Sequence, residues 1–272
     1  ANEASIKLAR KHGAEKRDGR YEILTVLGSF HGRTMATIAA TGQEKVRQGF
    51  GPVLEGFRYV QFGDLDAMAS AISDETVAIL VEPILGEGGV VVPPPGYLKG
   101  LRELCDRNGL LLILDEVQVG IGRTGKLFAY EHEGITPDIM PLAKALGGGV
   151  PIGAMLAKAE VAESLSLGSH GSTFGGNAIA CAAGVAVIET LLNDGVLDHC
   201  VEMGAYFLGK LQTLKEKFSF IKEVRGQGLI LGAELDREGG KIADTCLREG
   251  VMINCAAGKV LRFLPPLIIT KG

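Results

Sequence analysis

Two periods of hydrophobic and polar positions take turns along the first two-thirds of the chain. Short apolar runs at Glu22 to Leu27 (EILTVL), Val77 to Glu82 (VAILVE), Leu110 to Leu114 (LLLIL) and Ile152 to Ala157 (IGAMLA) predict strands. Between them, Leu65 to Ile72 and Tyr97 to Gly109 carry apolar residues at helical spacing, the second stopped by its glycine. A strand apolar at every position, as at Leu110 to Leu114, is expected where helices cover both faces of a sheet. Alternation of this kind predicts an α/β domain with a mostly parallel central sheet. An Ala-rich helix over Asn177 to Leu192 follows, and the texture then changes. A long amphipathic helix over Glu202 to Phe218 leads into strands at Phe220 to Arg225 and Leu229 to Leu235. A helix near Lys241 to Arg248 and strands at Val251 to Asn254 and Val260 to Leu264 complete the pattern. The expected organisation is a large α/β domain over 1–192 and a smaller α+β domain over 193–272.

Composition narrows the function. The 272 residues are 46% hydrophobic, enough to build a substantial core. A net charge of −4, with both signs mixed along the chain, gives no electrostatic footprint for nucleic acid and no polybasic membrane patch. The five cysteines are scattered, none in a C-x-x-C pair, which predicts free thiols in a reducing, cytoplasmic compartment. The chain opens inside a helical pattern, ANEASIKLARKHG, and closes at PPLIITKG just after a strand pattern. Both ends predict a piece of a longer protein.

Several motifs compete for the chemistry. Gly120 to Gly125 spells G-x-G-x-x-G, the dinucleotide fingerprint, but Asp115 to Gln118 separates it from the preceding strand and no good helix follows. The same stretch nearly spells a phosphate-binding P-loop, yet Leu127 stands where Ser or Thr would hold magnesium. His132 between Glu131 and Glu133 lacks the second histidine of a zinc helix and reads as a solvated face. The loop His170 to Asn177 (HGSTFGGN) is dense in small and polar residues, suited to a turn or to gripping a phosphate. In open α/β sheets ligands sit beyond the carboxyl ends of the strands, where the sequence places Asp115, Glu82 and Phe30 to Arg33. An acid ending a buried strand is costly unless it meets a positive partner, such as the protonated ring nitrogen of a cofactor. Lys144 lies in an apolar, Gly-rich setting, PDIMPLAKALGGGVPIG, where desolvation frees a lysine amine to react with a carbonyl. Together Asp115 and Lys144 suggest pyridoxal 5'-phosphate (PLP).

At this point the chain resembles the class III (ornithine-type) PLP-dependent aminotransferases. The resemblance rests on ANEASIKLAR, SFHGRTMATIAATG, VEPILGEGGV, LDEVQVGIGRTGK, PDIMPLAKALGGGVPIGA, HGSTFGGNAIACAA and LRFLPPL, in family order across nearly the whole chain. It implies the type I fold of PLP-dependent transferases. It implies that Lys144 is the Schiff-base lysine and Asp115 the partner of the pyridinium nitrogen. Gln118 is expected to bond the phenolic oxygen, Phe30 and Val117 to flank the ring, and Thr173 to hold the phosphate of a neighbouring subunit, which makes a homodimer. Arg33 and Arg262 look like carboxylate-binding arginines and Ser172 like a substrate contact. Glu87 resembles the acid that pairs with an arginine in one half-reaction and releases it in the other, and Glu82 lies close by. The implied reaction is transamination of N-acetylornithine with 2-oxoglutarate. Ornithine, succinylornithine and 4-aminobutyrate are alternative donors, and a non-catalytic or nucleotide-binding relative is the alternative of a different class. The Ser-Gly-Thr-type phosphate loop that precedes Ala1-Asn2-Glu3 in the family, and a final helix after Thr270, fall outside these residues.

Overall fold

The computed structural model describes residues 1–271, and the chain divides into two compact units. The first comprises Ala1–Pro83, Pro93–Gln118 and Tyr130–Ile188. The second comprises Ile84–Val92, Val119–Ala129 and Glu189–Gly272.

The first unit is built on a six-stranded sheet: β1 (Glu22–Val26), β2 (Phe57–Val60), β3 (Thr76–Val81), β4 (Leu111–Leu114), β5 (Ile139–Leu142) and β6 (Ala154–Ala157), in the order β2-β1-β3-β4-β5-β6. The first five strands pair in parallel and only β6 runs antiparallel, against β5. Every residue of β3 and β4 is buried, as their uninterrupted apolar runs require. Ile23, Ala78, Leu80 and Ile113 pack with Ile6, Leu8 and Ala9 of the helix Asn2–Lys16. The helix Tyr97–Asn108 buries Tyr97, Leu98, Leu101, Leu104 and Cys105, a spacing of one, three and four that makes a single face. It ends where Gly109 turns left-handed at φ 64°.

β5 contradicts its own local sequence, because Pro141 removes a donor from a strand between two neighbours. Its ladder to β4 is correspondingly reduced to Ile113 opposite Ile139. A four-residue antiparallel ladder to β6 and burial of all four β5 residues hold it there.

The second unit carries a four-stranded antiparallel sheet of β7 (Ile221–Gln227), β8 (Ile230–Leu235), β9 (Asn254–Ala256) and β10 (Val260–Phe263), ordered β7-β8-β10-β9. The helix Val196–Lys217 packs on it through Phe207, Leu208 and Leu211. It approaches so closely that a Cβ on Gly204 would lie 2.3 Å from the carbonyl oxygen of Gly228. The strand expected over Val251 to Asn254 begins only at Asn254, since β10 offers partners to Asn254, Cys255 and Ala256 alone. Val251, Met252 and Ile253 line an apolar cleft of about 950 Å³ shared with Phe207, Phe220 and Phe263. Among the described residues no single helix is long and apolar enough to cross a membrane.

Candidate active site

The strand order fixes where chemistry can gather. From β1 the chain goes to β2 on one side, while β3, β4 and β5 extend the sheet on the other. β1 and β3 stay paired, but the connections leaving them turn to opposite sides, and such a switch point is where a ligand crevice forms beyond the carboxyl ends. Phe30 and His31 follow β1, Glu82 follows β3, Asp115 follows β4 and Lys144 lies two residues beyond β5. The backbone N–H of Phe30 donates to Glu82 Oε1 at 2.9 Å, so Glu82, buried at 3% exposure, ties the two sides of the opening. The Arg33 guanidinium lies 5.3 Å from the Phe30 ring centroid, and Arg33 itself is exposed.

Asp115 is 3% exposed and surrounded by donors. Its Oδ2 accepts from Asn2 Nδ2 at 2.7 Å and from His31 Nδ1 at 2.8 Å, and its Oδ1 accepts from the Val117 N–H at 3.0 Å. Asn2 also donates to the His31 carbonyl at 2.9 Å, and His31 Nε2 lies 3.2 Å from Thr25 Oγ1. A carboxylate oxygen accepts about two hydrogen bonds. The single bond at Oδ1 thus leaves capacity for one more N–H, which fits a protonated ring nitrogen. Sequence reasoning placed His31 at the strand ends without a role and did not single out Asn2. The first stood in plain view in FHGR, and the second carries no local signal because its partner lies 113 residues away.

Lys144 begins a short 3-10 turn, Lys144–Gly147, with φ 45°, a left-handed conformation uncommon for a lysine. Gly148, at φ 57°, closes the turn, and a Cβ there would lie 2.9 Å from Val187. Lys144 is exposed while Leu142 and Leu146 are buried on either side. The apolar neighbours belong to the core beneath. Backbone strain of the kind at Lys144 persists only where the surroundings impose it, and it clusters at functional sites.

Val117 and Gln118 follow Asp115 and are half-buried. Ser172 and Thr173 stand apart on an exposed loop. Ser172 lines an open cleft of about 820 Å³ with Ala1, Gly153, His170 and Asn177. Lys7 holds this loop through His170 Nδ1 at 3.0 Å and the Ser169 carbonyl at 3.1 Å.

Arg262 and Glu87 belong to the second unit. Arg262, 7% exposed, points Nη2 at Glu87 Oε1, 2.8 Å away. The Leu85 and Val91 backbones exchange hydrogen bonds of 3.1 and 3.0 Å, closing the loop that presents Glu87.

Comparison with known proteins agrees with this geometry. The family model described as aminotransferase class-III matches residues 1–272. The acetylornithine aminotransferase of Methanocaldococcus jannaschii is 53% identical over 276 residues, covering 100% of this chain and 68% of its own length. That of Caldanaerobacter subterraneus is also 53% identical, with 100% and 69% covered. The ornithine aminotransferase of Toxoplasma gondii superposes with a TM-score of 0.95 at 38% identity, covering 99% of this chain and 66% of that one. An amine transaminase from an uncultivated Pseudomonas species, solved in its PLP-bound form, gives a TM-score of 0.90 at 30% identity, with 100% and 71% covered. The chain thus spans about two thirds of the length of its relatives. It is a member of the PLP-dependent class III aminotransferases.

Proposed function

We propose that the protein transfers the terminal amino group of N-acetylornithine to 2-oxoglutarate, forming N-acetylglutamate semialdehyde and glutamate. The observation that carries this reading is the buried, donor-ringed Asp115 one strand away from a left-handed Lys144. The donor follows from relatives at 53% identity named for acetylornithine, against 38% for one named for ornithine. Ornithine, succinylornithine and 4-aminobutyrate are the alternatives that a donor panel would separate.

When bound, PLP supplies an electron sink for negative charge at the substrate carbon that carries the nitrogen. Asp115 would accept from its ring N–H, and a carboxylate there would favour the protonated nitrogen. Gln118 would bond the phenolic oxygen, Phe30 and Val117 would flank the ring, and the Lys144 amine would hold the aldehyde carbon. With substrate in place, the Lys144 amine would serve as general base toward the proton on the substrate carbon that bears the nitrogen, and then as general acid, delivering that same proton to the cofactor carbon that had carried the aldehyde. Arg33 and Arg262 hold substrate carboxylates by two-point contact, Ser172 contacts substrate, and Glu87 neutralises Arg262 when no second carboxylate is present. Thr173 serves the phosphate of a second copy, so the working form is a homodimer. Its exposure on an open loop supports that assignment. Five free thiols, Cys105 and Cys200 among them buried, support a reducing, cytoplasmic setting.

The test is a pair of variants of the holoenzyme. Lys144→Ala is expected to lose the visible, borohydride-sensitive absorbance of the bound cofactor, and turnover should fall by at least about a hundredfold. Asp115→Asn should still bind PLP yet lose a comparable share of its rate. A borohydride-sensitive band surviving in Lys144→Ala would remove the central assignment.

A further inference from the structure

The loop that carries Glu87 is gripped from two sides, and only one of the two grips has a role in the reaction as described so far. Arg225 of β7 lies opposite Gly232 of β8, and Gly232 lies opposite Arg262 of β10. Residues directly opposite one another share a face of the sheet. Two arginines thus stand on that face about 10 Å apart, two strand spacings, with a glycine between them.

The loop lies in this gap. A Cβ on Gly232 would fall 3.0 Å from Val90 Cβ, so the missing side chain is what lets the loop sit on the sheet. From one side Arg262 Nη2 meets Glu87 Oε1 at 2.8 Å. From the other, Arg225 Nε donates to the Val90 carbonyl at 2.9 Å and Nη2 to the Gly89 carbonyl at 2.8 Å. The remaining edge of Arg225 meets Glu234 and, at 2.7 Å, Glu223. The two residues whose carbonyls Arg225 holds are both left-handed, Gly89 at φ 105° and Val90 at φ 52°. Val90 is β-branched, so this conformation needs outside support.

We propose that Arg225 is a positioning residue for the Glu87–Arg262 pair. Its guanidinium fixes the two strained carbonyls, and that sets where the Glu87 carboxylate can reach. The pairing of Glu87 with Arg262, and hence the choice between a donor with one carboxylate and a dicarboxylate, then depends on a residue that touches neither substrate nor cofactor. This inference rests on the proposed switching role of Glu87.

The experiment compares Arg225→Met, Arg225→Lys, Glu87→Gln and the Arg225→Met/Glu87→Gln double variant as holoenzymes. The two half-reactions are measured separately, with N-acetylornithine and with 2-oxoglutarate. Arg225→Met should shift the ratio of kcat/KM roughly tenfold toward 2-oxoglutarate, the size of an ordinary coupling between sites. Arg225→Lys should recover part of the shift. The double variant should match Glu87→Gln alone, because the two changes act through one group. Hydrogen exchange over residues 85–91 should quicken in Arg225→Met without substrate present. An arginine with only a structural role would lower the melting temperature and slow both half-reactions equally. An unchanged ratio in Arg225→Met beside a shifted one in Glu87→Gln overturns the proposal alone. An unchanged ratio in both overturns the switching role of Glu87, and the proposal falls with it.

Discussion

Burial of Asp115 beside His31 makes each side chain's chemistry depend on the other. Nδ1 of His31 donates to the Asp115 carboxylate at Oδ2, and Nε2 lies 3.2 Å from the Thr25 hydroxyl. That fixes the ring's orientation and keeps its hydrogen toward the carboxylate. His31→Phe removes one donor from a buried acceptor, at a cost of about 1–3 kcal/mol. Lower stability in a denaturant melt and weaker PLP affinity by titration are the expected results. Unchanged PLP affinity would mean that Asn2 and the Val117 N–H suffice to orient Asp115. Asp115 itself was legible in the sequence, because an acid at the end of an apolar run is expensive without a partner. The partners were not, since Asn2 and His31 reach it only after the chain has folded across 113 and 84 residues.

At the scale of elements, a second buried acid joins what the strands alone do not. Asp138, just before β5, accepts from Arg102 Nη1 and the Leu112 N–H at 2.7 Å each, and from Lys158 Nζ at 2.8 Å. It therefore ties the helix Tyr97–Asn108, β4 and the end of β6 to β5, whose ladder to β4 is a single pair. Burial pushes its carboxyl up, but the bonds from Lys158, the Leu112 N–H and Arg102 outweigh it and hold the group below the usual range. A depressed carboxyl contributes stability above its unfolded value near 3.8, and the contribution is lost as pH falls through the folded value. Asp138→Asn is expected to cost about 2 kcal/mol or more at pH 7, less than a fully buried pair because Lys158 is partly exposed. Urea melts should show the gap to the parent protein persisting at neutral pH and closing below about pH 4. A gap that stayed constant in acid would mean that packing, not charge, is lost. Most strands were readable from apolar runs, but β2 and β5 were not. The proline in the middle of β5 argues against a strand, and the ladder to β6, burial and Asp138 override that local signal.

For the whole chain, the two units are interleaved in sequence. Ile84–Val92 and Val119–Ala129 join the second unit without any compositional break to mark them, while the change of texture after the helix Ala178–Asn193 was visible from patterning. The family fold was legible because its motifs hug the strand ends, and strand ends are where a parallel sheet gathers distant residues. The twist at Lys144 affects the entire molecule. A side chain at φ 45° raises the folded state by about 1–2 kcal/mol relative to glycine. Lys144→Gly should therefore melt higher than Lys144→Ala when both lack cofactor, as calorimetry of the two proteins would show. Equal melting points would mean that the neighbouring residues, not position 144, impose the twist. Selection for heat resistance alone would discard this lysine early, and with it the enzyme; only growth that requires the product retains it.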